Sequence, residues 1–434
     1  MTAYLEGHLA PVPDEIESFD LPVTGALPPE LTGRYLRNGP NPRPGADPGH
    51  WFGGDGMLHG IRLRGGRAEW YRNRWVRTGQ LAGERRFRPD GTLDMSVHSA
   101  NTHIVGHADR LLALCEAGLP YEVTGELDTL GPHDFGGKLL TPMTAHPKQD
   151  PVSGKLYFFG YSFQPPFLTY HRLSAAGELE RSVEVDLPAP IMMHDFAITE
   201  RHVVWLDLPL TFDLGLVGSG IPFRWNDEHP TRLGVMDRDG GTRVQWFEID
   251  PCFVFHVGNA HEDAAGRIVL DAVRYSRTAF RSVWSGMSGS AAESGDSGGS
   301  LHRWTLDPAT GVAREQALDD LAVEFPTINE DRVGLGHRYV YAAGGSGSVV
   351  KYDTRSGSPA VHDLAPHQVA GEAVFVPSGG GEDEGWLLSV VTDTAADSSE
   401  LLVLDATSVE PVASVALPRR VPSGFHGSWI GDTE

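Results

Sequence analysis

The sequence predicts an all-β fold, a seven-bladed β-propeller with loops and short helices capping one face. Three observations lead there. Gly (52) and Pro (31) make up an unusually large share of the 434 residues, while 40 % are hydrophobic. Average usage of Gly plus Pro is only about 12 %, so the chain is rich in turns and poor in long helices. Apolar or alternating runs of strand length dominate: LYFFGYSF, HVVWLDLPL, FVFHVG, RIVLDAVRY, YVYAAGG, AVFVPS, WLLSVVTD and LLVLDA. They carry β-branched and aromatic residues and end at Gly, Pro, Asp or Ser, the strand signature. Third, one hairpin pattern recurs seven times along the chain.

In order, the hairpins are RLRGGRAEW around Leu63, YEVTGELDT around Val123, HRLSAAGEL around Leu173, GVMDRDGGTRV around Met236, HRWTLDPATGV around Trp304, KYDTRSGS around Tyr352 and LVLDATSVEPV around Val403. Successive centres lie 48 to 68 residues apart. Turn chemistry explains each hairpin locally. Even spacing needs a global cause, and radial repetition of four-stranded sheets supplies one. A single domain over 1–434 is expected. Within it, 285–300 (SGMSGSAAESGDSGGS) reads as a flexible Gly/Ser-rich loop and 377–385 as a shorter one.

Charge and cysteine content exclude several function classes. The formal charge of −23 disfavours a nucleic-acid partner and offers no polybasic segment for anionic lipid. Two cysteines, Cys115 and Cys252, give no disulfide framework, which fits a reducing compartment. Neither a signal peptide nor an 18-residue apolar run is visible. A cytoplasmic protein without an obligate protein partner is therefore expected.

The 19 histidines are sorted by their phase. His146, His194, His256 and His426 fall 20 to 23 residues after a hairpin centre, and no other histidine does. Glu324 and Glu372 lie 20 residues after the hairpins of two further repeats. Equivalent positions in different blades point at one axis, so four imidazoles and two carboxylates should converge there. Imidazole suits Fe, Cu, Zn and Ni. Carboxylates accepting the other ring N–H would compensate charge and fix the tautomers. Four His would close a tetrahedral zinc site, whereas an octahedral ion keeps two positions open, as Fe(II) and O2 require.

At these residues the sequence resembles the carotenoid cleavage oxygenase family, which includes apocarotenoid oxygenases, lignostilbene dioxygenases and the retinal pigment epithelium isomerase. Eleven segments carry the likeness in order. Among them are Arg37-Asn38-Gly39-Pro40-Asn41-Pro42, Gly53-Gly54-Asp55-Gly56-Met57, Ala100-Asn101-Thr102, Glu116-Ala117-Gly118, Ala145-His146-Pro147, Met193-His194-Asp195, Phe255-His256-Val257, Glu324-Phe325-Pro326, Gly371-Glu372-Ala373 and Gly424-Phe425-His426. The resemblance implies one Fe(II) per chain held by His146, His194, His256 and His426. It implies supporting glutamates at Glu116, Glu324 and Glu372, of which Glu116 is nominated by the resemblance alone, and a threonine, Thr102, beside the open coordination site. The sequence departs from the family's usual pattern at His261 and Thr327.

The implied reaction is oxidative cleavage of a C=C bond of a carotenoid or apocarotenoid by O2, giving two carbonyl products. A small apolar substrate needs an apolar tunnel. The segments 163–170 and 208–225 are candidates, with Cys115, Phe163, Phe167, Leu214, Phe223 and Trp225 as wall residues, and weak peripheral membrane contact through 208–225 is a further expectation. Stilbene-cleaving relatives resemble one another in a lysine where this chain has Cys115, which favours a polyene unless Arg77 or the Arg85-Arg86 pair supplies the cation from another loop. Cleavage of a stilbenoid or phenylpropenoid, isomerisation instead of cleavage, and a binding propeller without activity remain as alternative readings.

Overall fold

Each of the seven hairpins joins the third and fourth strands of a separate antiparallel sheet, and the seven sheets are the blades of a propeller. The computed structural model describes residues 3–218, 220–289, 298–345 and 347–432. The first hairpin shows the local cause. Gly65 and Gly66 both take positive φ, 53° and 76°, the backbone a tight two-residue turn needs and other residues avoid.

Within a blade the chain runs from first strand to fourth, then returns to the first strand of the next blade. The first strands of several neighbouring blades touch one another. The ring closes through residues distant in sequence. Gly427–Gly431 supplies the first strand of blade 1 and pairs with Gly33–Pro40, Gly33 opposite Gly431 and Arg37 opposite Gly427. On the outside, Glu17–Phe19 pairs with the fourth strand of blade 1 and Val23–Gly25 with that of blade 7, Pro411–Ala416. One short segment thus staples the two blades at which the ring is joined.

The largest apolar cluster crosses blades 3, 4, 5 and 6. Phe159 meets Phe196 edge-on at 5.2 Å between centroids, and Phe196 stacks on Trp205 at 5.6 Å. All three are fully buried, each worth several kcal/mol of transfer and aromatic contact (about 2–4).

The capping layer departs from the sequence reading at two places. Arg277–Met287 is an α-helix, with the Ser276 side chain accepting from the Ala279 amide at its start. Its last turn takes up 285–287, the first residues of the expected Gly/Ser loop. Ala279, Phe280, Val283 and Trp284 form an apolar stripe that packs inward, too short a pattern to stand out among the strands. Residues 290–297 of that loop lie outside the described residues, and a strand begins at Ser300. The segment 208–225 is not all loop either: Leu210–Phe212 pairs with Phe223–Trp225 as a ribbon outside the blades. Among the described residues no helix is long and apolar enough to cross a membrane.

Candidate metal centre

His146, His194, His256 and His426 stand just before the first strands of blades 3, 4, 5 and 1. Glu324 lies in the first strand of blade 6, Glu372 between the two innermost segments of blade 7, and Thr102 just before the first strand of blade 2. Every blade therefore sends one side chain to the same end of the axis. The phase rule has its physical basis here, because a nearly constant length of chain separates a blade's outer hairpin from the next blade's first strand.

The Nε2 atoms of His146 and His194 are 3.1 Å apart, as are those of His256 and His426. The ligand nitrogens of His146, His256 and His426 all lie within 4.8 Å of one another. Three carboxylates hold the outer ring nitrogens. Glu116 meets His194 Nδ1 at 2.8 Å, Glu324 meets His256 Nδ1 at 2.5 Å, and Glu372 meets His426 Nδ1 at 2.8 Å. Among the described residues His146 pairs with no carboxylate. Its amide instead donates to Thr144 Oγ1 at 3.1 Å.

This arrangement fits a cation. Each carboxylate fixes its imidazole with the proton on Nδ1 and the lone pair on Nε2. Two such lone pairs facing at 3.1 Å repel unless a positive centre lies between them. Nitrogens about 2.1 Å from one ion lie about 3.0 Å apart at right angles and about 3.4 Å apart at tetrahedral angles. The observed spacing matches the right angle, the geometry of an octahedral ion.

Electrostatics keep His146, Glu324 and Glu372 in the forms a cation site requires. Burial, then the neighbouring imidazoles, push His146 well below the usual imidazole range, so it is neutral at pH 7. Burial opposes ionisation of Glu324 and Glu372, but His256 and His426 outweigh it and hold both below the usual carboxylate range.

Several supporting residues were not singled out in the sequence. Tyr161 donates its phenol to Glu116 at 2.8 Å and Tyr275 to Glu324 at 3.1 Å. Burial, then the adjacent glutamate, raises both phenols well above their ordinary value, which keeps them protonated donors. Glu372 receives the Gly427 amide instead, at 2.7 Å. Asp195 ties three of the histidine-bearing loops together: it meets Lys148 Nζ at 2.8 Å and accepts the Val257 amide at 2.8 Å. His103 lies 5.1 Å from the His426 ring, yet both its nitrogens are engaged, by the Ala145 carbonyl and the Ser428 hydroxyl. Replacing Tyr161 by Phe removes one bond to a charged acceptor, worth about 1.5–3 kcal/mol. The expected result is roughly tenfold weaker metal affinity or more, read by competition with a chelator. Unchanged affinity would show that Glu116 needs no second anchor.

His194, His256 and His426 open onto a cavity of about 1050 Å³, the upper end of ligand-site volumes. Its wall is largely apolar, with Phe52, Met192, Phe255 and Phe425 near the imidazoles. Thr102 lines it, and its carbonyl accepts the His426 amide at 3.2 Å. Cys115, Phe163, Leu214 and Phe223 also line it, but Phe167 and Trp225 do not. Phe167 closes the turn that carries Phe163, its carbonyl accepting the Ser162 amide. Trp225 sits at the base of the ribbon opposite Leu210, its ring against Phe280.

Known proteins share this architecture. The sequence profile of the Retinal pigment epithelial membrane protein family matches residues 9–431. A carotenoid cleavage oxygenase of Mycobacterium tuberculosis is 41 % identical, the match covering 99 % of this chain and 98 % of that protein. A carotenoid 9,10(9',10')-cleavage dioxygenase of Crocus sativus is 35 % identical over 99 % of this chain and 89 % of its own. Among solved structures, the cobalt-substituted Synechocystis apocarotenoid oxygenase superposes with a TM-score of 0.83 at 29 % identity, covering 97 % of both chains. The lignostilbene dioxygenase of Pseudomonas brassicacearum superposes with a TM-score of 0.88 at 28 % identity, covering 100 % of this chain and 99 % of that one.

Proposed function

The chain belongs to the carotenoid cleavage oxygenase family, and from that premise we propose that it is an Fe(II)-dependent dioxygenase that cleaves a C=C bond of a carotenoid or apocarotenoid. The observation that carries the reading is the convergence of the imidazoles on the wall of a large apolar cavity. His146, His194, His256 and His426 would hold the ion, with Glu116, Glu324 and Glu372 compensating its charge. When bound, Fe(II) supplies the redox chemistry through which O2 reacts with an alkene. The protein's own part is placement and exclusion. Phe52, Phe255 and Phe425 line the cavity where it meets the imidazoles and keep bulk water out, and the long apolar walls align an extended polyene. One alkene and one O2 give two carbonyl groups. The test is anaerobic loading with iron, then mass spectrometry after exposure to an apocarotenal in air. Two carbonyl fragments are expected. Intact substrate with fully loaded protein would overturn the reading.

A stilbenoid substrate is the second reading, favoured by the likeness to the lignostilbene dioxygenase. Against it, the residue beside Glu116 is Cys115, whose thiol gives no permanent cation, so a phenolate would have to reach the exposed Arg86 at the cavity mouth instead. A preference in kcat/KM for a 4-hydroxystilbene over an apocarotenal by more than about tenfold, or 1.4 kcal/mol of barrier, would reverse the ranking.

The cavity mouth is also read as a lipid-facing surface of an otherwise cytoplasmic protein. Leu140 and Leu214 are 79 % and 77 % exposed there, beside Phe87 and Val217. An exposed apolar rim around a tunnel for a bilayer-dissolved polyene supports peripheral docking. Wild-type protein is expected to float with liposomes, and Leu140→Asp/Leu214→Asp/Val217→Asp protein to stay behind. Equal flotation of the two would remove the docking surface.

A further inference from the structure

The cavity wall contains a cation that the proposed chemistry does not use. Among the described lining residues Arg86 is the only lysine or arginine. It is exposed, next to Phe87, where the cavity opens. Its backbone is pinned: the Asp94 amide donates to the Arg86 carbonyl at 2.8 Å, and Phe87 bridges Leu93. The guanidinium donates through Nη2 to the Ala117 carbonyl at 2.7 Å, which anchors it beside Glu116. Of the nearby arginines, Arg85 does not line the cavity, and two others are neutralised. Arg77 pairs with Glu15 at 2.6 Å and Arg88 with Asp94 at 2.9 Å. Arg86 has no such carboxylate partner among the described residues, and the carboxylates of the wall, Glu116 and Glu324, are already engaged by His194, Tyr161, His256 and Tyr275.

A guanidinium carries five N–H donors in a fixed fork. One is spent on Ala117, and the others stand at the rim of a largely apolar chamber. A pure hydrocarbon polyene offers them nothing and would strip them of water. An acceptor oxygen at the substrate's end meets them beside the apolar lining and gains a charge-assisted bond. Resting on the proposed polyene cleavage, we infer that Arg86 is a specificity-determining residue that binds a carbonyl or carboxylate oxygen at one end of the substrate. The site thereby selects oxygen-ended apocarotenoids over hydrocarbon carotenes.

The test measures binding rather than turnover. Metal-free protein in neutral detergent, without phospholipid, is titrated with three polyenes of equal length that end in an aldehyde, a carboxylate or a hydrocarbon. Quenching of tryptophan fluorescence reports occupancy, with Trp51 in the cavity wall. Wild-type protein is expected to prefer at least one oxygen-ended ligand about 10- to 100-fold, the range for a hydrogen bond to a charged group. The aldehyde and carboxylate arms show which oxygen is taken. In Arg86→Met, an exposed and near-isosteric change, that preference should shrink to within about threefold, and Arg86→Lys should keep part of it. No preference in wild type, or a preference that survives in Arg86→Met, overturns the assignment. Weaker flotation of Arg86→Met on anionic vesicles with the preference intact would also overturn it, and would give the cation to a lipid headgroup. Failure to bind any polyene would instead sink the proposed function itself.

Discussion

Replacing His256 by Ala is expected to abolish activity and to leave less than about a tenth of the metal content of wild type. His256 Nε2 lies 3.1 Å from His426 Nε2, and its Nδ1 is held by Glu324 at 2.5 Å. On the proposed reading, losing the imidazole removes a ligand and leaves Glu324 without the ring that holds its carboxyl below the usual range. Changes one step further from an ion already cost roughly 10- to 100-fold in affinity or activity, so loss of a ligand itself should exceed that. The first strand of blade 5 begins at Val257, whose amide bond to Asp195 does not involve the ring. The fold should therefore survive, and circular dichroism with metal analysis separates loss of metal from loss of structure. Wild-type metal content in a folded His256→Ala protein would exclude His256 as a ligand.

The second large effect is expected from Glu324→Gln combined with Glu372→Gln. Each amide keeps an acceptor oxygen for the imidazole but loses the charge that balances a divalent ion. At roughly 10- to 100-fold each, the pair should lower metal affinity by about 10²- to 10⁴-fold if the effects multiply. Both act on one centre, so some departure from additivity is expected. In Glu324→Gln one oxygen can still accept from both His256 Nδ1 and the Phe325 amide, which share Oε2, whereas in Glu372→Gln only one of His426 and Gly427 keeps its acceptor, because they bind different oxygens. Wild-type affinity in the double variant would make both carboxylates structural.

How much of this was legible in the sequence follows from where each residue sits. The hairpins were readable because Gly, Asp and Ser at a turn act locally, and their spacing measures the length of a blade. His146, His194, His256 and His426 shared a phase because each stands at the start of a first strand. Glu116 broke that phase because it follows the second strand of its blade, Arg110–Leu114. His103 also begins a first strand but falls out of step, since a long excursion after Arg67–Trp75 precedes it. Tyr161 and Tyr275 were invisible, being aromatic residues at strand ends whose bonds to Glu116 and Glu324 form between neighbouring blades. Closure by Gly427–Gly431 on Gly33–Pro40 is likewise a pairing across nearly the whole chain, which no local pattern encodes. Arg77 and the Arg85-Arg86 pair were legible as cations that could reach a substrate oxygen, but of these only Arg86 lines the cavity. Its isolation appears once Arg77 and Arg88 are seen to be paired.

The central claim is that the axial imidazoles support oxidative cleavage of an alkene held in the cavity. Oxygen uptake against alkene consumed, with iron-loaded wild-type protein and an apocarotenal, tests it most directly. The account requires one O2 taken up and two carbonyl products formed for each alkene lost. Conversion of the alkene to an isomer without oxygen uptake would contradict it.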